Sequence, residues 1–177
     1  RVLGAADGSV RRVDGAEHTP FAVVVAFDPD THAPLPAPLE HAALIAWLEE
    51  HRPPGPGCDA LRIDGVFDRV HARSVPRQDP PYRPLDEVAA EQVEFSFTDV
   101  RGTIVGFRFP QLAQEVEVVG HHLHFLSADR TMGGHVLACD VREGTIAIER
   151  VDELHLELPP GVDLPEAGRP DATRRAD

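Results

Sequence analysis

The 177-residue chain is long enough for one sizeable domain or a compact pair of small ones, and either can bury a core. Apolar residues make up 42% of the sequence, charged residues 27%, and the net charge is -13, which excludes a disordered chain. Only 17 Lys and Arg accompany 30 Asp and Glu, and no apolar run approaches the roughly 18 residues of a membrane span, so we expect no nucleic-acid or membrane partner.

The first predicted element is the apolar run FAVVVAF at residues 21–27, which Pro20 precedes and DPD follows. A short continuous apolar run between such breakers is typical of a strand that is buried on both faces. We therefore expect it to lie centrally in a sheet.

A helix is predicted next, because the spacing of apolar residues changes to the helical period. Its apolar face is formed by Leu44, Trp47, Leu48 and His51. Pro53 and Pro54 then end the helix, since neither can continue its hydrogen bonding. The next segment, ALRIDGVFDRVHARSV, alternates as strands do, with a bend or bulge expected at Gly65.

Short strands dominate the chain from Val93 onward: VEFSF, GTIVGFRF, EVEVVG, HHLHFL, GHVLACDV, TIAIERV and LHLEL. The predicted fold is α+β and mostly β, a mixed or antiparallel sheet with one clear helix, followed by an antiparallel barrel-like or sandwich region. We predict three regions: residues 1–90, apparently truncated at the N-terminus; residues 91–159; and an irregular tail at 160–177.

Four histidines cluster in GHHLHFLSADRTMGGH, in a chain that has only ten. On a strand, His122 and His124 leave the same face, and His121 leaves the other. The turn SADRTMGG, with Gly133 and Gly134 expected to adopt unusual backbone angles, returns the chain so that His135 can lie on the neighbouring strand. Three imidazoles can then face one point.

Three neutral histidines with an open fourth position are typical of a catalytic zinc site, so His122, His124 and His135 are the predicted metal ligands. A cupin-like barrel is an alternative, but its usual Glu after the HxH pair is missing from FLSADR. The remaining histidines are expected to be structural or surface residues. Cys58 and Cys139 form no CxxC pair, which favours reduced thiols and a cytoplasmic setting.

Four phrases in this order, TPFAVVVAFDPD, RIDGVFDRVHARSVPRQDPPYRPL, RGTIVGFRFP and GHHLHFLSADRTMGGHVL, resemble the alpha-acetolactate decarboxylases. The resemblance implies a homodimeric, zinc-dependent enzyme that converts 2-acetolactate to acetoin and CO2 in butanediol fermentation. It matches His122, His124 and His135 to the family's zinc ligands and Arg73 to its active-site arginine. Zinc would act as the electron sink for the enediolate, and Arg73 would hold the substrate carboxylate through paired hydrogen bonds.

The chain departs from the family pattern at its ends. Family members carry an upstream LDGE phrase whose glutamate reaches the zinc, and this chain begins after that point. A second family glutamate comes from the C-terminal tail, where the surroundings of Glu166 match too poorly to carry the role. If the upstream glutamate is truly absent, we expect zinc binding with poor turnover. A different metal-dependent isomerase or dioxygenase and a non-catalytic metal-binding remnant remain alternatives.

Overall fold

The computed structural model describes residues 2–4, 7–13, 22–76, 87, 90–114 and 119–155. One α-helix and eight strands form its regular structure, together with a short 3-10 turn at Gln111–Ala113. The elements are β1 (Val2–Gly4), β2 (Val10–Arg12), β3 (Thr31–Pro34), β4 (Leu39–Glu40), α1 (His41–His51), β5 (Cys58–Ser74), β6 (Val93–Phe109), β7 (Gly120–Ser127) and β8 (Gly133–Val151). The predicted fold class, mostly β with antiparallel pairing and one clear helix, is confirmed.

Four strands close into a ring. β5 pairs antiparallel with β6 on one side and with β8 on the other, and β7 pairs along its length with β6. β7 then meets β8 through a short antiparallel contact, which completes the ring. β3 and β4 add to β8 outside this circuit, while β1 and β2 form a separate hairpin. The division into three regions stays a prediction. β5, from the first predicted region, pairs with β6 and β8 from the second.

The core gathers apolar side chains from the four ring strands and from α1. Phe67 of β5 is fully buried and packs edge-on against Phe125 of β7, with ring centroids 5.5 Å apart. The helix contributes Leu44 and Leu48, both buried, as its period predicts. It ends at His51, just before Pro53 and Pro54, so the predicted helix is confirmed.

Among the described residues, no helix has the length and apolar character that crossing a membrane requires.

The prediction of a buried central strand at residues 21–27 is wrong. Residues 22–27 form no strand, and Val24 is 86% exposed. The central positions of the sheet are occupied by β5 and β8, each of which has strand partners on both of its edges. Phe21 lies outside the described residues.

Several strands that the sequence analysis separated are continuous. VEFSF and GTIVGFRF belong to β6, and GHVLACDV and TIAIERV belong to β8. Gly102 and Gly144, at the predicted breaks, do not end β6 and β8. Both glycines stay paired, since each lies opposite Gly65 of β5. A Cβ on Gly65 would lie 2.3 Å from the Glu143 carbonyl oxygen, so the row of glycines permits close strand approach, and β5 has register shifts just beyond it.

Parts of other predicted elements fall outside the described residues. This applies to residues 115–118 of EVEVVG, to residues 156–158 of LHLEL, to most of the proline-rich stretch, and to the tail that contains Glu166. Of their described ends, Gly120 begins β7, whereas Val119, Leu154 and His155 are not part of a strand.

Phe67→Ala tests whether the ring strands share one packed core. Removing this buried ring leaves a cavity, so the free energy of unfolding in urea should fall by about 3–5 kcal/mol. Val24→Ala is the matched exposed control and should change stability by less than about 0.5 kcal/mol. Equal effects of the two substitutions would contradict the assigned core.

Candidate metal centre

Strand pairing brings the three predicted ligand histidines together. His122 and His124 are two residues apart on β7, so their side chains leave the same face. His135 at the start of β8 lies directly opposite His124 where these two strands close the ring. Directly paired residues project to the same face of a sheet, and all three imidazoles therefore converge.

The turn between the two strands is built differently from the prediction. Arg130, rather than either glycine, has the left-handed backbone conformation, with φ of 60°. The Ser127 hydroxyl donates to Asp129 Oδ1 at 2.6 Å and accepts from the Met132 amide at 2.9 Å, which fixes the turn. The predicted role of Gly133 and Gly134 in supplying unusual angles is wrong, since both lie in β8.

Gly133 and Gly134 are needed for space. A Cβ at Gly133 would lie 2.6 Å from the Phe125 carbonyl oxygen, and one at Gly134 would lie 3.0 Å from the Arg73 carbonyl oxygen. Real Cβ atoms are almost never found at the first of these distances. The two glycines thus let β8 approach both neighbouring strands immediately before His135.

The geometry of the three imidazoles fits a divalent metal ion. One ring nitrogen from each histidine lies within 4.8 Å of the other two. Nε2 of His122 and Nε2 of His124 are 3.1 Å apart. Two nitrogens bound to tetrahedral zinc at about 2.0–2.1 Å would be separated by about 3.3 Å, so small side-chain adjustments suffice. These residues could hold zinc and leave one coordination position open.

The electrostatic environment favours the neutral, metal-binding form of the His124 and His135 imidazoles. Burial, then the charges of His122 and Arg73, lowers the pKa of His124 to about 4. Burial, followed by the same kind of repulsion from His124, Arg73 and His122, lowers the pKa of His135 to about 3. His124 keeps an exposed surface, so water offsets part of this desolvation. Near neutral pH both rings offer a lone pair.

Arg73 lies beside this cluster. It is opposite His135 in the pairing of β5 with β8, and its charge contributes to the lowered pKa values of His124 and His135. The Arg73 Nη1 group donates a hydrogen bond to Gln92 Oε1. The structure therefore brings together all four site residues that the sequence analysis named.

Two polar residues next to Arg73 were missed by the sequence analysis. Gln92 Nε2 donates to Glu94 Oε1 at 2.7 Å, and Glu94 Oε2 lies 3.1 Å from His71 Nε2. These residues belong to no motif, and His71 was expected to be an isolated structural or surface histidine. The strand register of β5 against β6 creates this cluster, and a local sequence pattern does not reveal that register.

His121 lies on the face opposite the cluster, as predicted. Its Nδ1 is 3.8 Å from Glu49 Oε1 of the helix, and burial is the first cause of its lowered pKa. It is therefore separate from the three converging imidazoles.

Comparison with known proteins agrees with this architecture. The sequence model of the alpha-acetolactate decarboxylase family matches residues 4–167. The chain belongs to this family. It is 40% identical over 153 residues to the alpha-acetolactate decarboxylase of Methylococcus capsulatus, covering 86% of this chain and 59% of that protein. The Klebsiella aerogenes alpha-acetolactate decarboxylase is 38% identical over 154 residues, covering 87% of this chain and 59% of the relative.

Solved structures of the family share the fold. The crystal structure of alpha-acetolactate decarboxylase from Bacillus subtilis strain 168 superposes with a TM-score of 0.85 at 33% identity, covering 90% of this chain and 68% of that one. The chain spans about three fifths of the length of the first curated relatives.

The histidine cluster predicts a specific pattern of metal loss. His124→Ala or His135→Ala should abolish stoichiometric zinc binding, because each removes one of three converging nitrogens. Zinc content is measured by elemental analysis after the protein is loaded with zinc and dialysed to remove unbound metal. His121→Gln on the opposite face of β7 is the control and should retain zinc. Unfolding curves of all variants identify any loss of the fold. Full zinc content in a folded His135→Ala variant would rule out this residue as a ligand.

Proposed function

We propose that this chain catalyses the decarboxylation of 2-acetolactate to acetoin and CO2. Membership of the decarboxylase family supports the reaction. The observation that carries the proposal is that Arg73 lies opposite His135, beside three converging imidazoles. A cation site and a guanidinium side by side suit a substrate that carries a carboxylate next to chelating hydroxyl and ketone oxygens.

Zinc is the metal that we propose, with His122, His124 and His135 as its ligands. Three imidazole nitrogens are a common ligand set for catalytic zinc, and no thiolate of the described residues joins this cluster. When bound, zinc would supply the Lewis acidity that draws electron density toward the ketone as CO2 leaves.

Arg73 binds and orients the substrate in this proposal. Its guanidinium can donate two parallel hydrogen bonds to a carboxylate, and it stays protonated throughout the reaction. Fixing the carboxylate holds the breaking C–C bond where it overlaps the π system of the ketone. The lowered pKa values of His124 and His135 keep these two imidazoles neutral near pH 7, so they do not compete with Arg73 for the anion.

The proposal extends to assembly and cellular setting. We propose a homodimer in the cytoplasm, as the family resemblance implies. Cys58 and Cys139 are both free thiols, which suits a reducing compartment.

Arg73→Ala tests the reaction and the role of Arg73 together. The variant should retain zinc but form acetoin from racemic acetolactate with kcat/KM lowered by about 100-fold or more, because the carboxylate is no longer oriented. Acetoin can be followed by a colour assay. Arg101→Ala is the control, since Arg101 is exposed and pairs with Glu143 rather than with the cluster.

Two outcomes would contradict the proposal. Acetoin formation by Arg73→Ala at the parent rate would remove Arg73 from the site. Stoichiometric zinc without any acetoin in the parent chain would instead indicate a metal-binding protein that does not carry out this reaction.

A further inference from the structure

The strand register places a carboxylate where it should neutralise Arg73. Arg73 of β5 lies directly opposite Glu94 of β6, and oppositely charged residues at such positions commonly form cross-strand ion pairs. A salt bridge of this kind would occupy the guanidinium that the substrate carboxylate needs. Glu94 instead contacts Gln92 and His71.

Both carboxylate oxygens of Glu94 have other partners. Oε1 accepts a hydrogen bond from Gln92 Nε2 at 2.7 Å, and Oε2 lies 3.1 Å from His71 Nε2. Gln92 immediately precedes β6, and its side-chain amide reaches both the Arg73 guanidinium and the Glu94 carboxylate. Glu94 is thus held between an amide and an imidazole.

Gln92 occupies the place beside Arg73. Its Oε1 accepts from Arg73 Nη1 while its Nε2 donates to Glu94, and these two bonds fix which way the amide points. An amide oxygen orients a guanidinium without cancelling its charge. A carboxylate in the same place would orient Arg73 and neutralise it.

We propose that Gln92 is a positioning residue for Arg73, aiming the guanidinium toward the three imidazoles without the charge compensation that the Glu94 carboxylate would bring, with Glu94 and His71 fixing the Gln92 amide. The inference rests on the proposed function of Arg73 as the carboxylate-binding group. Gln92 itself does not touch the substrate, and its effect passes through Arg73.

Binding of 2-hydroxy-2-methylbutanoate to the zinc-loaded chain tests this role without turnover. This acid has the carboxylate and hydroxyl of the substrate but no ketone, so it cannot lose CO2 by the same route. Gln92→Leu should raise its Kd, measured by calorimetry, by about tenfold, because a hydrogen bond to a charged group is lost. Gln92→Glu should weaken binding at least as much, since the new carboxylate competes for Arg73.

Two controls separate positioning from general damage. Gln111→Leu makes the same change at a glutamine that bonds Gln114 and should leave the Kd unchanged. In an Arg73→Ala background, Gln92→Leu should cause no further loss, because a residue that acts through Arg73 has nothing left to position. Zinc content should be the same in all of these variants.

The proposal is overturned if Gln92→Leu leaves the Kd unchanged, or if it raises the Kd equally with and without Arg73. Failure of the proposed function looks different. The parent chain would then bind the acid in a manner dependent on Gln92 and Arg73 but would form no acetoin from acetolactate.

Discussion

The short contact between β7 and β8 is the constraint on which the rest of the site depends. It consists of three residue pairs, and one of these is His124 opposite His135. Closing the ring and assembling the imidazole cluster are therefore one event. The contact needs Gly133, because a Cβ there would lie 2.6 Å from the Phe125 carbonyl oxygen, and Gly134 relieves a tighter-than-usual approach of 3.0 Å to the Arg73 carbonyl oxygen. Local backbone packing thus determines whether three nitrogens can meet at one point.

One face of β7 packs in the core, and the other face carries two of the proposed metal ligands. Leu123 and Phe125 are buried in the core, and they alternate with His122 and His124 on the opposite face. Core packing consequently fixes the strand that carries two of the proposed ligands, at no cost to their freedom to face a metal. Ligands on rigid strands are held more firmly than ligands on loops, which suits a site that must keep one position open for substrate.

One row of paired residues links the cluster to the groups around Arg73. His124 pairs with His135, His135 pairs with Arg73, and Arg73 pairs with Glu94 across successive strands. The arginine is thereby placed beside the imidazoles by backbone hydrogen bonding, and its charge contributes to the lowered pKa values of His124 and His135. The proposed role of Gln92 follows from the same row. Glu94 lies opposite Arg73, and its carboxylate is held instead by Gln92 and His71.

The sequence predicted those parts of this arrangement that depend on residues only a few positions apart in the chain. The helix face and the shared face of His122 and His124 follow from periods of 3.6 and 2 residues. It failed where distant register decides the outcome, as with the exposed Val24 run, which lies outside the paired strands. The contact of Gln92 with Arg73 joins residues 19 apart, and no local pattern encodes it.

X-ray absorption at the zinc edge of the metal-loaded chain tests the central claim, that three imidazoles share one ion, most directly. The account predicts a first shell of nitrogen or oxygen at about 2.0–2.1 Å, with outer-shell scattering from three imidazole rings. A shell containing sulfur at about 2.3 Å, or one without the imidazole signature, would contradict it.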